Sequence, residues 1–114
     1  MINEKAERYF HGEEGYNCAQ AVLMIFQDRL DVSQALISEH HDFGGGRVEG
    51  GICGALHAAR CLVPDALQTP DLDQRFQLDA GSLVCKKIRK LKQLSCLDCV
   101  KAAARALDNL LPGG

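Results

Sequence analysis

Six cysteines and four histidines carry most of the chemistry open to this 114-residue chain. The cysteines stand at positions 18, 53, 61, 85, 96 and 99. In an oxidising compartment such a set pairs into disulfides, and in a reducing one it binds metal or reacts. The spacing lacks the doubled C-x2-C of a zinc ribbon and the C-x-x-C-H of covalent haem attachment. Its single C-x-x-C, Cys96 and Cys99, is a candidate redox dithiol with Cys96 as the attacking thiolate. Cys53, His57 and Cys61 fall at i, i+4 and i+8, on one helix face. Two helical turns separate the outer pair by about 12 Å, so neighbours can share a site and all three cannot. On this pattern Cys61 is expected to pack as a small hydrophobe, with His57 a supporting or half-exposed group. The adjacent His40 and His41 point about 100° apart on a helix and are read as its polar end.

The elements that must position these residues read as helices throughout. Ile2, Ala6, Tyr9 and Phe10 have helical spacing. Asn17 followed by Gln20 is a capping-box start for a helix to about Leu30, with Ala19, Val22, Leu23, Phe26 and Leu30 as its stripe. Cys18 is its first helical residue, where unpaired N–H groups and the dipole favour a thiolate. A short helix covers Gln34 to Glu39. Another runs from Ile52 to about Val63, stopped by Pro64 and carrying Cys53 near its start. The longest is expected from Asp71 or Asp73, as cap, to about Leu91. Cys85 lies inside it, one turn after Gly81, at the edge of the stripe formed by Phe76, Ala80, Leu83, Val84, Ile88 and Leu91. The Lys86, Lys87, Arg89, Lys90 and Lys92 cluster suits a solvated C-terminal end. Ser95 with Asp98 makes a second capping box, opening a helix to about Leu111 with Cys96 first and Cys99 fourth. No strand-like alternation of useful length occurs.

Between the helix pairs lies Phe43-Gly44-Gly45-Gly46-Arg47-Val48-Glu49-Gly50-Gly51-Ile52-Cys53-Gly54-Ala55, with six of the eleven glycines. Such a run permits positive φ and close backbone approach, and its N–H groups can form an anion-binding nest. It lacks the Lys-Ser/Thr ending of a P-loop, and no strand precedes it as in a dinucleotide fingerprint. The embedded Phe43, Val48 and Ile52 distinguish it from a flexible linker.

The bulk properties bound the classes. The length suits one domain, residues 1–114, with a core that needs no staples. A net charge of −2 gives no field for nucleic acid. No apolar run approaches the ~20 residues of a membrane span, and the charged N-terminus lacks a signal-peptide core. A cytoplasmic location is expected.

One regularity joins these readings. Cys18, Cys53 and Cys96 each sit at a predicted helix start, after a glycine or a capping residue. Converging helix starts would stabilise thiolates or an anionic metal–thiolate centre. Thiolates from separate segments can hold zinc or an iron–sulfur cluster.

At this point the sequence resembles the C_GCAxxG_C_C family of redox-active proteins. Gly15-Tyr16-Asn17-Cys18-Ala19-Gln20-Ala21-Val22 is similar to its first block. Phe43-Gly44-Gly45-Gly46 with Gly51-Ile52-Cys53-Gly54-Ala55 is similar to its central block. Gly81-Ser82-Leu83-Val84-Cys85, then Cys96 with Val100 and Ala103, follow in the family's order. Ala58 stands where the closing glycine of the central motif is expected, and the Cys85-to-Cys96 segment is short for the family. The resemblance selects Cys18, Cys53, Cys85 and Cys96 as signature cysteines and sets Cys61 and Cys99 apart as extras. A related module accompanies an iron–sulfur centre in a multihaem cytochrome, so the resemblance points to a cluster before dithiol exchange.

The expectations are then definite. The fold is all-α, an irregular single-domain bundle of about five or six helices with a central Gly-rich loop over the mouth formed by the helix starts. The first functional expectation is a redox protein with Cys18, Cys53, Cys85 and Cys96 as ligands of a [2Fe-2S] or other metal centre for electron transfer. Gly44, Gly45, Gly46, Gly51, Gly54 and His57 would support it, and a redox partner protein would exchange electrons with it. The alternatives are a metal-free thiol–disulfide oxidoreductase using Cys53, Cys96 or Cys99, and a helical interaction domain with structural cysteines.

Overall fold

A computed structural model describes residues 2–10, 12, 15–43, 48–91 and 94–111. The described residues form eight α-helices and no strand: α1 (Ile2–Tyr9), α2 (Cys18–Ile25), α3 (Gln27–Leu30), α4 (Gln34–Glu39), α5 (Gly54–Leu62), α6 (Thr69–Ala80), α7 (Cys85–Leu91) and α8 (Cys96–Asp108). Short 3-10 turns cover His40–Asp42, Glu49–Gly51 and Ala66–Gln68.

Helix α2 is the centre. Seven of its eight residues are buried, which marks a helix packed on all sides. It lies against α5 and α8, with α1 over the α2–α8 pair and α6 closing on α8. The core is one continuous cluster, with Leu23, Leu56, Leu72, Phe76, Val100 and Leu107 among its fully buried members. Alanines at 102, 103, 104 and 106 give α8 a smooth buried face, which lets helix backbones come close.

The capping boxes form as their sequences require. The Asn17 side chain accepts from the Gln20 amide at 2.8 Å, and Gln20 Oε1 accepts from the Asn17 amide at 3.2 Å. Ser95 and Asp98 make the same exchange at the start of α8.

The helix count exceeds the expected five or six because two expected helices break. The first divides at Phe26, which ends α2 and precedes α3. The second break matters more for function. The long helix expected from Asp71 or Asp73 to Leu91 stops at Gly81, which adopts φ 83° and caps α6 by donating to the Gln77 carbonyl. Glycine takes that left-handed conformation without steric cost. Asp71 and Asp73 do not cap α6, which begins at Thr69 with Pro70 in its first turn. Asp73 instead holds Arg60 of α5 through two hydrogen bonds of 2.8 and 2.9 Å.

After Gly81 the chain leaves the helix. Val84 pairs antiparallel with Ile52, and the Cys53 amide donates to the Leu83 carbonyl at 2.9 Å. Ile52 is therefore extended and α5 begins at Gly54, not at Ile52. Gly50 and Gly51, with φ of 78° and 72°, turn the chain into this pairing.

Candidate functional site: a cysteine chamber

The break at Gly81 moves Cys85 from mid-helix to the first residue of α7. Cys18 and Cys96 are the first residues of α2 and α8, and Cys53 is the N-cap of α5. All four signature cysteines thus stand at helix starts, one more than the sequence pattern indicated. They are brought together. Cys18, Cys53, Cys85, Cys96 and Cys99 line one cavity of about 20 Å³, closed by Gly54, Ile88, Leu94 and Arg89. No disulfide joins any of the six cysteines.

Within this chamber Cys53, Cys99, Cys18 and Cys85 are buried and Cys96 is partly open. A Cys99–Cys53 hydrogen bond, with the Cys99 thiol as donor, lowers the Cys53 pKa to about 7, against the opposing effect of burial. The Leu56 and Ala55 backbone at the start of α5 and the Arg89 charge act in the same direction. Cys99 is pushed up by that same hydrogen bond and by burial. Cys85 is raised by burial against the pull of Arg89. Near neutral pH the pair therefore keeps a proton on Cys99, and Cys53 is partly thiolate.

Arg89 spans the mouth. Its guanidinium lies 3.9 Å from the Cys96 sulfur, and its own charge is reinforced by that contact and by Cys85. The sequence reading left Arg89 in a solvated basic cluster because an unbroken α6–α7 helix gave no reason to single it out. With the break at Gly81, Cys85 and Arg89 become an i, i+4 pair on a short helix facing the sulfurs. Cys99, read from family resemblance as an extra, is one turn after Cys96 and belongs to the chamber.

Among the expected supporting residues, Gly54 lies at the chamber wall. A Cβ there would clash with the Phe43 carbonyl oxygen and come within 3.0 Å of the Cys18 sulfur. Gly51 serves the turn, and a Cβ on it would meet Val84 Cγ1 at 3.4 Å. Gly44, Gly45 and Gly46, with the expected passage of their loop over the helix starts, lie outside the described residues.

His57 faces elsewhere. Its ring centroid is 5.3 Å from that of His40 and 5.0 Å from Phe43. His40 does close α4 as its C-cap, beside an exposed His41, but its own ring is buried: it is 2% exposed, with Nδ1 2.9 Å from the Leu36 carbonyl. Cys61, expected to be buried, is exposed, with its sulfur 3.7 Å from His40 Nε2. Burial, His40 and Arg60 hold the His57 pKa below its ordinary value. Burial and Glu39 push the Cys61 thiol up. Asn17 ties the two regions together, its Nδ2 donating to the His40 and His41 carbonyls at 3.0 and 2.8 Å.

Cysteines gathered at helix starts are placed where backbone N–H groups and the dipole favour thiolates. The comparison with known families agrees. Residues 16–110 match the family described as "Putative redox-active protein (C_GCAxxG_C_C)", and the chain belongs to that family. No curated protein and no solved structure matches the chain. No described helix is long and apolar enough to cross a membrane.

Proposed function

We propose that the cysteine chamber holds a thiolate-bound metal centre and that the protein carries electrons through it. The observation that carries this reading is the convergence of the four signature cysteines, from four separate segments, on one enclosed cavity. The donor set fits. Thiolates are the ligands of iron–sulfur clusters and of tetrahedral zinc or iron sites. Cys18, Cys53, Cys85 and Cys96 would be the ligands, and an iron centre there would supply one-electron transfer, which zinc would not.

The chain's own groups prepare the site for negative charge. The starts of α2, α5 and α8 direct their N–H ends toward accumulating thiolates. Arg89 adds a full positive charge, and Cys99 donates to the Cys53 sulfur. A dithiol needs to stabilise only one thiolate at a time, so this much positive character suits a multiply anionic centre better. Ile88 and Leu94 restrict water, which makes those interactions stronger. The cavity, about 20 Å³, accepts about one small atom as it stands. A cluster requires the mouth to widen at Leu94 and Arg89, and Arg89 is exposed.

A second reading has a specific observation behind it, that Cys53 and Cys99 line the same cavity, with the Cys53 pKa lowered to about 7 by its interaction with Cys99. In that chemistry the Cys53 thiolate attacks a partner's disulfide, forming a mixed disulfide and releasing one partner thiolate. Cys99 then loses its proton and attacks Cys53, forming the Cys53–Cys99 disulfide and releasing the second partner thiol. Access weighs against it, because Cys53 is 4% exposed and a protein disulfide must reach the attacking sulfur.

Anaerobic purification with a visible spectrum and iron, sulfide and zinc analysis tests the proposal. Iron with matching sulfide marks a cluster and iron without sulfide a single-iron site, whereas zinc alone would speak against electron transfer. A metal-free protein with a Cys53–Cys99 disulfide after oxidation would overturn it in favour of the second reading.

A further inference from the structure

We infer that the chain has a second metal site, separate from the cysteine chamber: His40, His57 and Cys61 form a zinc-binding triad on the outer face of α5. The candidate ligand atoms of the three residues all lie within 4.8 Å of one another. Zinc bonds of about 2.3 Å to sulfur and about 2.0–2.1 Å to imidazole, at a tetrahedral angle, set sulfur and nitrogen about 3.6 Å apart. The observed separation of Cys61 Sγ and His40 Nε2 is 3.7 Å.

The arrangement around the triad is that of a held ligand set. Nδ1–H of His40 donates to the Leu36 carbonyl, which leaves the lone pair on Nε2, facing Cys61. That backbone contact orients the ring in the manner of the outer partners of metal-bound histidines. His57 and Cys61 are one turn apart on α5, the spacing at which two side chains share a ligand. Phe43 meets both imidazoles edge to face, at 5.1 and 5.0 Å, and fixes their planes. His40 is buried and Cys61 exposed, so the three donors leave the solvent side for water as fourth ligand.

Two nitrogens, one thiolate and a water are a borderline donor set, which favours zinc over the soft, all-sulfur chemistry of the chamber. Binding is a ligand exchange without redox change: the Cys61 S–H gives its proton to solvent as the Zn–S bond forms. The inference stands on these residues alone and does not depend on a metal in the chamber.

The test uses the full chain, reduced and metal-stripped under anaerobic conditions. Zinc is titrated against a chromophoric chelator, and cobalt(II) is added in parallel for its thiolate charge-transfer band. Cys61→Ser and His57→Gln are compared with the unaltered chain and with Cys53→Ser, with far-UV circular dichroism as the check on folding. Both first variants alter solvent-side or half-buried positions, so the fold is expected to persist. Each is expected to weaken one zinc equivalent at least about tenfold. Cys53→Ser is expected to keep that equivalent, and zinc is expected to shift the His40 and His57 ring resonances. Unchanged affinity and stoichiometry in folded Cys61→Ser and His57→Gln would overturn the inference, whatever the chamber binds. A metal-free chamber beside a zinc equivalent lost in Cys61→Ser would uphold it.

Discussion

Cys53 and Cys99 line the same chamber, and the interaction between the two sulfurs pulls their titrations apart. Cys53 falls from the ordinary thiol value of 9.0 to about 7, and Cys99 rises above that value. The sign of the stability effect follows from proton counts. Between pH 7 and 9 the folded metal-free chain has lost the Cys53 proton while the unfolded chain keeps it. Unfolding then takes up a proton, so stability rises with pH. Above 9 the folded chain keeps the Cys99 proton that the unfolded chain has lost, and stability falls. Urea denaturation of the reduced, metal-free protein across this range is expected to give a maximum near pH 9. In Cys99→Ala the rise between 7 and 9 is expected to shrink.

Gly54 is held by its neighbours, not by its own conformation. Replacing it with alanine gains up to about 1 kcal/mol of helix propensity. The new methyl meets the Phe43 backbone carbonyl and the Cys18 sulfur, and a backbone oxygen cannot swing away. Overpacking of this kind costs about 1–3 kcal/mol, so the clash outweighs the propensity gain. Gly54→Ala is expected to lower the denaturation midpoint and to disturb the absorption of any centre in the chamber.

The two capping boxes are not equivalent. Ser95→Ala removes one cap and is expected to cost about 1 kcal/mol. Asn17→Ala removes a cap together with the two bonds that hold the His40 and His41 carbonyls. Its expected cost is roughly 2 kcal/mol or more. It is also expected to loosen zinc at the His40, His57 and Cys61 triad, which Ser95→Ala leaves alone. Paired urea titrations and zinc competition on the two variants check both statements.

The sequence carried the fold class and the helix starts at Cys18 and Cys96, because capping boxes are local signals that survive tertiary context. It did not carry the break at Gly81. A single glycine in a helical pattern reads as a weak spot, and what fixes the break is the long-range pairing of Val84 with Ile52. Cys85 was misplaced with it, as a mid-helix residue, and Arg89, which does lie at an exposed helix end, was read without its contact to Cys96. Cys61 and His40 exchanged their expected environments for a related reason. The exposed face of α5 and the burial of the His40 turn depend on how Asn17 and Phe43 dock that turn, which no periodicity records. Family resemblance named the four signature cysteines but not Cys99, whose role comes from its contact with Cys53.

The central claim is that the chamber sulfurs are metal ligands, and metal content per chain under strictly anaerobic purification measures it most directly. The unaltered protein is expected to carry about one chamber centre per chain, counted apart from zinc at the His40, His57 and Cys61 triad. Serine at Cys18, Cys53, Cys85 or Cys96 is expected to remove most of that metal while the helical signal is kept. Cys61→Ser is expected to leave the chamber metal in place. A colourless unaltered protein that takes up neither iron nor zinc at the chamber, and whose Cys53 and Cys99 cycle between dithiol and disulfide, would contradict the account.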